Sequence, residues 1–437
     1  MKRLLTAAMA AFMALSGAAQ GYASVEDSLR LAGCDYVYRP AMQKLTPAPK
    51  GYKALAIEHY GRHGARYCWQ GNLYSGIRDV FRRGDSLDVL TPAGKTFLAQ
   101  FEELYPEIRY HENELSRKGW EQQGQIAEVM YRSFPEIFKG RQAVRANCSN
   151  YPRCLMSMSA FCLSLSDCSP ELDITAHCGR NWYPGVIPQS EDNPFARDIK
   201  FAELGYDMDA RGARKIYYGH EAILGRLFTD PEAVVKGDGQ IDLIEDLFYF
   251  ASGMQSLDTD KNFAWIFTHD ERYRIWEIDN YSNFARWRGR YLYLPILEDI
   301  IAMGDEHIAE GRRGADLRFG HDTCLIPLLM LMDVNGCGRR PDTWQEIKDV
   351  FQDWNIPMGG NIQIIIYCPK RGEAAREGAA AVRGGTSAAS RGGEAVLFKL
   401  LLNGEEAALP SLEAVSGPYY RWSDLKAMAA ELQKHVR

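Results

Sequence analysis

The sequence lacks an excess of positive charge. It contains 51 Lys and Arg residues against 57 Asp and Glu residues, a formal net charge of −6. Nucleic acids and anionic lipid surfaces attract proteins mainly through clustered positive charge. We therefore expect no nucleic-acid partner, and nothing in the sequence predicts an obligate protein partner. A polyanionic ligand would need a local basic patch.

Long apolar runs are also absent after residue 23. A membrane-spanning helix needs about 20 apolar residues, and the densest later run, Cys324–Met332, is much shorter. The first 23 residues differ, because Lys2 and Arg3 precede the apolar run Leu4–Leu15 and a stretch of small residues. This order is typical of a secretory signal. We predict a signal peptide over 1–23 and an exported protein, periplasmic or secreted, without a membrane span.

The ten cysteines lack the spacings of two common kinds of site. Five of them fall between Cys148 and Cys178 without a Cys-x2-Cys pair, which argues against a structural zinc site. None is followed six positions later by arginine, so the Cys-x5-Arg thiolate loop is missing. An even number of cysteines in an exported chain permits disulfides. We predict disulfides together with buried free thiols, in a pairing that the sequence does not determine.

Short apolar runs near both ends of the chain predict strands of a sheet. Each is followed by a glycine-containing loop, a helix or a turn, and Asn361–Tyr367 has the continuous apolar character of a strand buried on both faces. The other predicted strands are Lys53–Glu58, Ala315–Gly320 and Ala395–Leu402. The last precedes Asn403-Gly404, a dipeptide typical of tight hairpin turns.

The middle of the chain has a different pattern. From about Asn181 to Gly304 the sequence shows long, aromatic-rich helical periodicity without alternating strands and helices. We predict an α/β fold, a three-layer domain whose mainly parallel sheet is built from 24–150 and 305–437. A mainly helical insertion would occupy 151–304. Residues 371–393, rich in Ala, Gly and Arg, predict an exposed flexible loop.

The segment His59–Tyr67 (HYGRHGARY) is the strongest local signal. Arg62 and Arg66 flank His63, and Gly64 allows the backbone to approach a ligand closely. Planar guanidinium groups suit phosphate oxygens, and a neutral imidazole is a competent nucleophile. The alternative is a solvated turn rich in arginine and histidine.

A second signal, His321-Asp322, follows another predicted strand. This pair offers a cationic phosphate ligand and a proton donor for a leaving oxygen. The alternative is that Asp322 only caps the following helix.

Together these two motifs resemble the histidine acid phosphatases, the larger branch of the histidine phosphatase superfamily. Their pattern is Arg-His-Gly-x-Arg-x-Pro near the N-terminus and His-Asp near the C-terminus of an α/β domain with a helical insertion. The similarity covers the chain from about Leu45 to its end. It includes three further segments: Leu115-Ser116-x-x-Gly119; Arg153, Ser157 and Phe161; and Asn403-Gly404-Glu405-Glu406.

Two features bear on the subfamily. The segment around His63 looks closest to the multiple inositol polyphosphate phosphatases, which act on phytate and its lower esters. In contrast, His321-Asp322-Thr323 has the form found in general acid phosphatases and phytases. A broad acid phosphatase or a sugar phosphatase therefore stays open beside an inositol polyphosphate phosphatase.

The resemblance implies a two-step phosphomonoesterase that needs no metal or other cofactor. A small-molecule phosphate ester, such as phytate, would be the substrate, with an optimum on the acid side of neutral. His63 would form a phosphohistidine and Asp322 would protonate the leaving group. The phosphate ligands would be Arg62, Arg66, Arg153 and His321.

Two alternatives belong to other classes. A non-catalytic binding protein for phosphorylated ligands would use the same arginines but has no use for an acid at Asp322. A metallohydrolase would use His307-x-x-Glu310 together with His321. Additional basic residues are candidates for holding further phosphate groups of a substrate: Arg117, Lys118, Arg145, Arg312 and Arg313.

Overall fold

The computed structural model describes residues 25–194, 203, 206, 210–370 and 396–436. The predicted signal peptide over 1–23 and the predicted loop over 371–393 lie outside the described residues. Within the part of the chain that is described, no helix combines the length and apolar character needed to cross a bilayer.

One mixed sheet runs through the molecule in the order β3-β2-β4-β1-β5-β6-β9-β8, with β7 paired to β6. Neighbours from β3 to β1 are parallel, and the pairs from β1 to β8 are antiparallel. The strands are β1 (Tyr52–Arg62), β2 (Ala143–Cys148), β3 (Asp173–Cys178), β4 (Gly314–Gly320), β5 (Asn361–Pro369), β6 (Leu397–Leu402), β7 (Glu405–Ala407), β8 (Ala414–Ser416) and β9 (Tyr419–Arg421).

Helices cover both faces of this sheet and form a separate layer beside it. In chain order they are α1 (Val25–Arg30), α2 (Leu73–Ser86), α3 (Pro92–Ile108), α4 (Arg117–Ser133), α5 (Pro135–Phe138), α6 (Pro152–Cys168), α7 (Tyr183–Val186), α8 (Ala210–Tyr217), α9 (His220–Gly225), α10 (Pro231–Val234), α11 (Gly239–Gly253), α12 (His269–Phe284), α13 (Leu294–Glu310), α14 (Asp322–Leu331), α15 (Ile347–Val350) and α16 (Trp422–Leu432). Short 3-10 segments include Gly33–Asp35, Ala285–Tyr293 and Asp353–Asn355.

The apolar strands predicted from the sequence are buried on both faces. In β5, Ile362 and Ile364 pack in a core with α13 and α14, whereas Ile365 packs on the opposite face with α4 and α6. A third core, in which Phe97 and Phe250 meet, joins α2 and α3 to the helices that follow residue 210. The predicted α/β class with a three-layer sheet domain and a helical region is confirmed; the sheet is mixed, with parallel pairing from β3 to β1 and antiparallel pairing from β1 to β8.

β1 is longer than the predicted strand over Lys53–Glu58. Gly61 pairs with Asn361 on one side, and Arg62 pairs with Gly320 on the other. Because partner strands continue along both edges, β1 extends past Gly61. The motif His59–Tyr67 therefore belongs to the sheet as far as Arg62. Such pairing is not visible in the strand's own sequence.

The division of the chain at residue 151 also differs in detail. β3 lies inside the predicted insertion over 151–304, yet it is an edge strand of the sheet and pairs in parallel with β2. Conversely, α2 and α3 come from the predicted sheet portion but pack in the helical core. A separate helical domain over 151–304 remains a prediction. Near its predicted start, β3 belongs to the sheet, whereas α2 and α3 belong to the helical core.

The predicted disulfides are not formed, since all ten cysteines are free thiols. Several lie in surroundings that disfavour oxidation. Burial raises the pKa of Cys324 to about 11 and that of Cys154 to about 12. A buried thiol that stays protonated is a poor nucleophile for disulfide formation. Cys148 and Cys178 lie opposite each other on the neighbouring strands β2 and β3, and both are free thiols.

Candidate active site

The two sequence motifs meet at the carboxyl ends of adjacent parallel strands. β1 ends at Arg62 and leads to His63, and its neighbour β4 ends at Gly320 and leads to His321. On the other side of β4, β2 leads into α6, which carries Arg153 near its start. Open α/β sheets bind ligands at this edge. The topology thus brings residues from distant parts of the chain to one cavity of about 530 Å³.

His63 lies in the wall of this cavity as a neutral imidazole. Its Nδ1 is 2.9 Å from the carbonyl oxygen of Gly64, and because a carbonyl only accepts, Nδ1 carries the proton. Burial, together with Arg62, Arg153 and other positive neighbours, lowers the pKa of His63 well below its usual value. Its Nε2 therefore keeps a free electron pair even in mildly acidic solution.

His321 is held in the opposite tautomer. Arg153 Nη2 lies 3.2 Å from its Nδ1, and Ser149 Oγ lies 3.0 Å from its Nε2. The guanidinium can only donate, so Nδ1 accepts and Nε2 carries the proton. Burial and Arg153 lower the pKa of His321 to about 3. These contacts favour a neutral His321 that donates from Nε2, whereas its role as a cationic phosphate ligand stays a prediction.

Asp322 is the first residue of α14 and faces the cavity. Its Oδ2 lies 2.8 Å from Arg62 Nη2, and its Oδ1 accepts from the Thr323 amide at 2.7 Å. Burial would raise the pKa of Asp322, but Arg62, Arg286 and Arg66 together lower it below its usual range. The carboxyl group thus makes a local contact at the helix start and also lines the cavity.

The three arginines predicted as phosphate ligands lie around His63 and Asp322. Arg62 is fully buried and reaches the carbonyl oxygens of Cys34 and Ile356 as well as Asp322. Arg66 lines the cavity and is 8% exposed, yet its Nε has no hydrogen-bond partner among the described residues. Nε and Nη1 of Arg153 are likewise unpartnered there. Buried donors of this kind indicate an anionic ligand.

The loop after His63 is packed tightly against the start of α4. A Cβ atom added to Gly64 would lie 2.4 Å from the carbonyl oxygen of Gly119. The amide of Gly64 donates to Ser157 Oγ at 3.0 Å, and Ser116 caps α4 while its hydroxyl donates to the Ala65 carbonyl. The spacing Leu115-Ser116-x-x-Gly119 noted in the sequence therefore serves to hold the loop that carries His63.

Replacing Gly64 with alanine is expected to destabilise the protein. The methyl group overlaps backbone atoms that cannot move independently, and overpacking of this kind costs about 1–3 kcal/mol. Gly124→Ala is the matched control, because its Cβ would lie at an ordinary 3.5 Å from Ser164 in the interior of α4. Urea denaturation should show a lower midpoint for Gly64→Ala alone; equal midpoints would contradict the packing argument.

Some residues of the cavity carried no sequence signal. Arg286 comes from the 3-10 segment Ala285–Tyr293, where it is one of several arginines, and Asp35 and Asp279 are isolated acids in unremarkable surroundings. All three lie far along the chain from the two motifs. Only the folded chain brings them to the cavity that His63 also lines.

The metallohydrolase alternative does not form. His307 Nε2 lies 2.9 Å from Asp316, while Glu310 pairs with Arg312 at 3.0 Å. His321 lies in the cavity with His63, at a ring separation of 5.8 Å. The predicted ligands thus point to different partners.

One buried group of ligand-type side chains, Glu58, His307 and Asp316, does bring its atoms within 4.8 Å of one another. However, Arg318 pairs with Glu58 at 2.9 Å, and Arg145 pairs with Asp316. These guanidinium groups already supply the positive charge that a cation would bring. The group fits an ion-pair network beneath the site better than a metal centre.

The additional basic residues predicted for further phosphates do not line the cavity. Arg145 is held by Asp316 and Glu306, and Arg312 by Glu306 and Glu310. Lys118 donates to the Gln255 carbonyl on another surface. Arg117 and Arg313 are likewise directed elsewhere, to Glu121 and to the Glu136 carbonyl. Arg145 and Arg312 are thus paired with carboxylates, Lys118 and Arg313 donate to backbone carbonyls, and none of the five lines the cavity of His63.

The fold is similar to that of known phosphatases. Neither a protein-family model nor a curated protein matches the chain. The solved structure of the multiple inositol polyphosphate phosphatase of Bifidobacterium longum with inositol hexasulfate has a TM-score of 0.67 at 14% identity, covering 92% of this chain and 98% of that one. The complex of the same enzyme with phosphate has a TM-score of 0.67 at 15% identity, covering 92% of this chain and 97% of that one. The phytase from D. castellii has a TM-score of 0.62 at 14% identity, covering 95% of this chain and 89% of that one. Over most of its length, the chain has the fold shared by these phosphatases.

Proposed function

We propose that the protein is a histidine acid phosphatase that hydrolyses small phosphate monoesters through a phosphohistidine at His63. The observation that carries this proposal is the position of a neutral His63, its Nε2 free, in one cavity with the donors of Arg66 and Arg153 and with the carboxyl group of Asp322. A nucleophile, an anion clamp and a proton donor are the groups that phosphoryl transfer requires.

In the first step, His63 Nε2 attacks phosphorus and the ester P–O bond breaks. The arginines hold the equatorial oxygens, and charge that develops there is stabilised by donors already in place. Asp322 gives its proton to the departing alkoxide. Neighbouring arginines lower the pKa of Asp322, and the negative charge of a bound phosphate offsets their effect. Substrate binding thereby favours the protonated acid.

In the second step, water attacks the phosphohistidine and the P–N bond breaks. Asp322, now a carboxylate, accepts the proton from water, and inorganic phosphate leaves. His63 returns to its neutral form with Nδ1 donating to Gly64.

The substrate class we propose is a phosphate ester of a small polyol, either an inositol phosphate or a sugar phosphate. The shared fold and the motif around His63 support an inositol phosphate. The His321-Asp322 motif supports a sugar phosphate. We also propose that the protein is exported, because residues 1–23 have the pattern of a secretory signal.

Phosphate release by the purified protein tests this function. We expect release from p-nitrophenyl phosphate, glucose 1-phosphate or phytate at pH 5, unaffected by EDTA. Loss of release on adding EDTA would favour metal-dependent hydrolysis. Absence of release from all three esters, with phosphate still bound, would favour a binding protein.

A further inference from the structure

We propose that the cavity selects esters bearing a single phosphate, whose alcohol also carries a hydroxyl or amino hydrogen-bond donor, over a ring phosphorylated on every carbon. This inference rests on the phosphatase function proposed above and narrows its substrate. The feature responsible is an acidic wall, defined as Asp35, Asp279 and Asp353, which lines the same cavity as His63.

The acidic wall is built from three separate parts of the chain. Asp35 ends the 3-10 segment Gly33–Asp35, Asp279 lies on α12, and Asp353 begins the 3-10 segment Asp353–Asn355. The wall is linked to the phosphate end of the cavity, because Asp35 Oδ1 lies 3.7 Å from Arg66 Nη2. A substrate whose phosphate contacts Arg66 therefore extends its alcohol portion beside carboxyl groups.

The three carboxyl groups differ in their remaining capacity to accept hydrogen bonds from a ligand. Asp353 accepts from Trp276 Nε1 at 2.9 Å and from Asn283 Nδ2 at 2.8 Å, so its role is structural. Asp279 accepts one long hydrogen bond, 3.3 Å from the Tyr249 hydroxyl. Asp35 has the distant contact with Arg66. Asp35 and Asp279 therefore keep acceptor capacity for donors on a substrate.

Arg214 does not cancel the negative charge of ionised Asp279. Arg214 lies 3.8 Å from Asp279 but only 2.6 Å from Glu245. Burial, with Glu245 next, raises the pKa of Asp279 to about 8. Burial also raises the pKa of Asp353 to about 6, and Asp35 adds to that shift. Above these pKa values the ionised carboxylates oppose a further phosphate and accept from a hydroxyl or ammonium donor. Below them Asp279 and Asp353 are protonated, and the selection against a second phosphate weakens.

The charge balance of the whole cavity leads to the same conclusion. Its lining contains the arginines Arg66, Arg153 and Arg286 and the aspartates Asp35, Asp279, Asp322 and Asp353, and no lysine is among the described lining residues. One bound phosphate engages the arginines. A fully phosphorylated inositol would place its remaining phosphates without matching cations, since the other predicted basic candidates do not line this cavity.

The test compares kcat/KM values at one ionic strength and at about pH 8, near the pKa of Asp279. The five esters are p-nitrophenyl phosphate, glucose 1-phosphate, inositol 1-phosphate, phosphoethanolamine and inositol hexakisphosphate. The variants are Asp35→Asn with Asp279→Asn, and Asp35→Asn alone in case the pair does not fold. Asp173→Asn is the control, because this exposed aspartate on β3 pairs with Arg141 away from the cavity.

For the wild type we expect a donor-bearing monophosphate to exceed the hexakisphosphate at least tenfold in kcat/KM. In the double variant, kcat/KM for the hexakisphosphate relative to p-nitrophenyl phosphate should rise at least tenfold, with a smaller rise for Asp35→Asn alone and none for Asp173→Asn. Preference for inositol 1-phosphate would identify hydroxyl donors, and preference for phosphoethanolamine an amino donor. Wild-type preference for the hexakisphosphate, or an unchanged ratio in the variants, would overturn this inference while leaving the phosphatase function intact. A wild type inactive on all five would instead overturn the proposed function.

Discussion

Replacing His63 with alanine is expected to lower kcat by about 10³-fold or more on every ester. The side chain supplies the electron pair that forms the bond to phosphorus, and alanine has no replacement for it. Phosphate release under saturating substrate measures the effect. Circular dichroism and a thermal melt show whether the variant is folded, because His63 itself is buried.

His177→Ala is the matched control for this experiment. His177 is an exposed histidine on the edge strand β3, stacked on Trp182, and its loss should leave kcat within about twofold, as is usual for surface positions. A folded His63→Ala protein with nearly wild-type turnover would show that another group attacks phosphorus.

Replacing Asp322 with asparagine is expected to lower kcat for alkyl esters by about 10²-fold or more, because asparagine cannot protonate the leaving alkoxide. The loss should be smaller for p-nitrophenyl phosphate, since p-nitrophenolate leaves without a proton. Asp270→Asn is the control, as Asp270 is an exposed aspartate in the chain's other His-Asp pair. Equal losses on both classes of ester would argue against an acid role.

The same variant has a characteristic pH dependence. The active form of Asp322 in the substrate complex is protonated, so activity is present below its pKa in that complex and is lost as the pH rises through it. We therefore expect the wild-type kcat for an alkyl ester to fall towards alkaline pH and this limb to disappear in Asp322→Asn. A wild-type kcat that rises steadily above pH 8 would contradict the assignment.

This variant also separates an enzyme from a binding protein. Arg62 holds Asp322 at 2.8 Å, but Arg66 and Arg153 reach the cavity independently of it. A binding protein should therefore keep its affinity for inorganic phosphate in Asp322→Asn. An enzyme should keep phosphate binding and lose turnover.

The core of the site could be predicted from sequence because its chemistry is local. His63 lies between two arginines within five residues, and His321-Asp322 directly follows an apolar strand. Strands of this kind are parallel neighbours in α/β folds, so their carboxyl ends meet. The structure places the two motifs on β1 and β4, which pair directly.

Other features depend on contacts that no short segment contains. The neutral state of His321 follows from Arg153 and Ser149, both more than 160 residues away in sequence. The length of β1 depends on its neighbours β4 and β5. Asp35 and Asp279 form one wall only after the N-terminal segment has packed against α12. Periodicity and spacing within a segment carry no information about such encounters.

The central claim is that His63 carries the phosphoryl group between the two steps. The most direct measurement is to mix the protein with a fast ester such as p-nitrophenyl phosphate, stop the reaction with alkaline denaturant, and locate the phosphoryl group by peptide mass spectrometry. We predict a single phosphoryl group on His63, which is absent in His63→Ala and accumulates in Asp322→Asn, where hydrolysis of the intermediate lacks its base. Turnover without phosphorylation of His63, or with the phosphoryl group on another residue, would contradict the account.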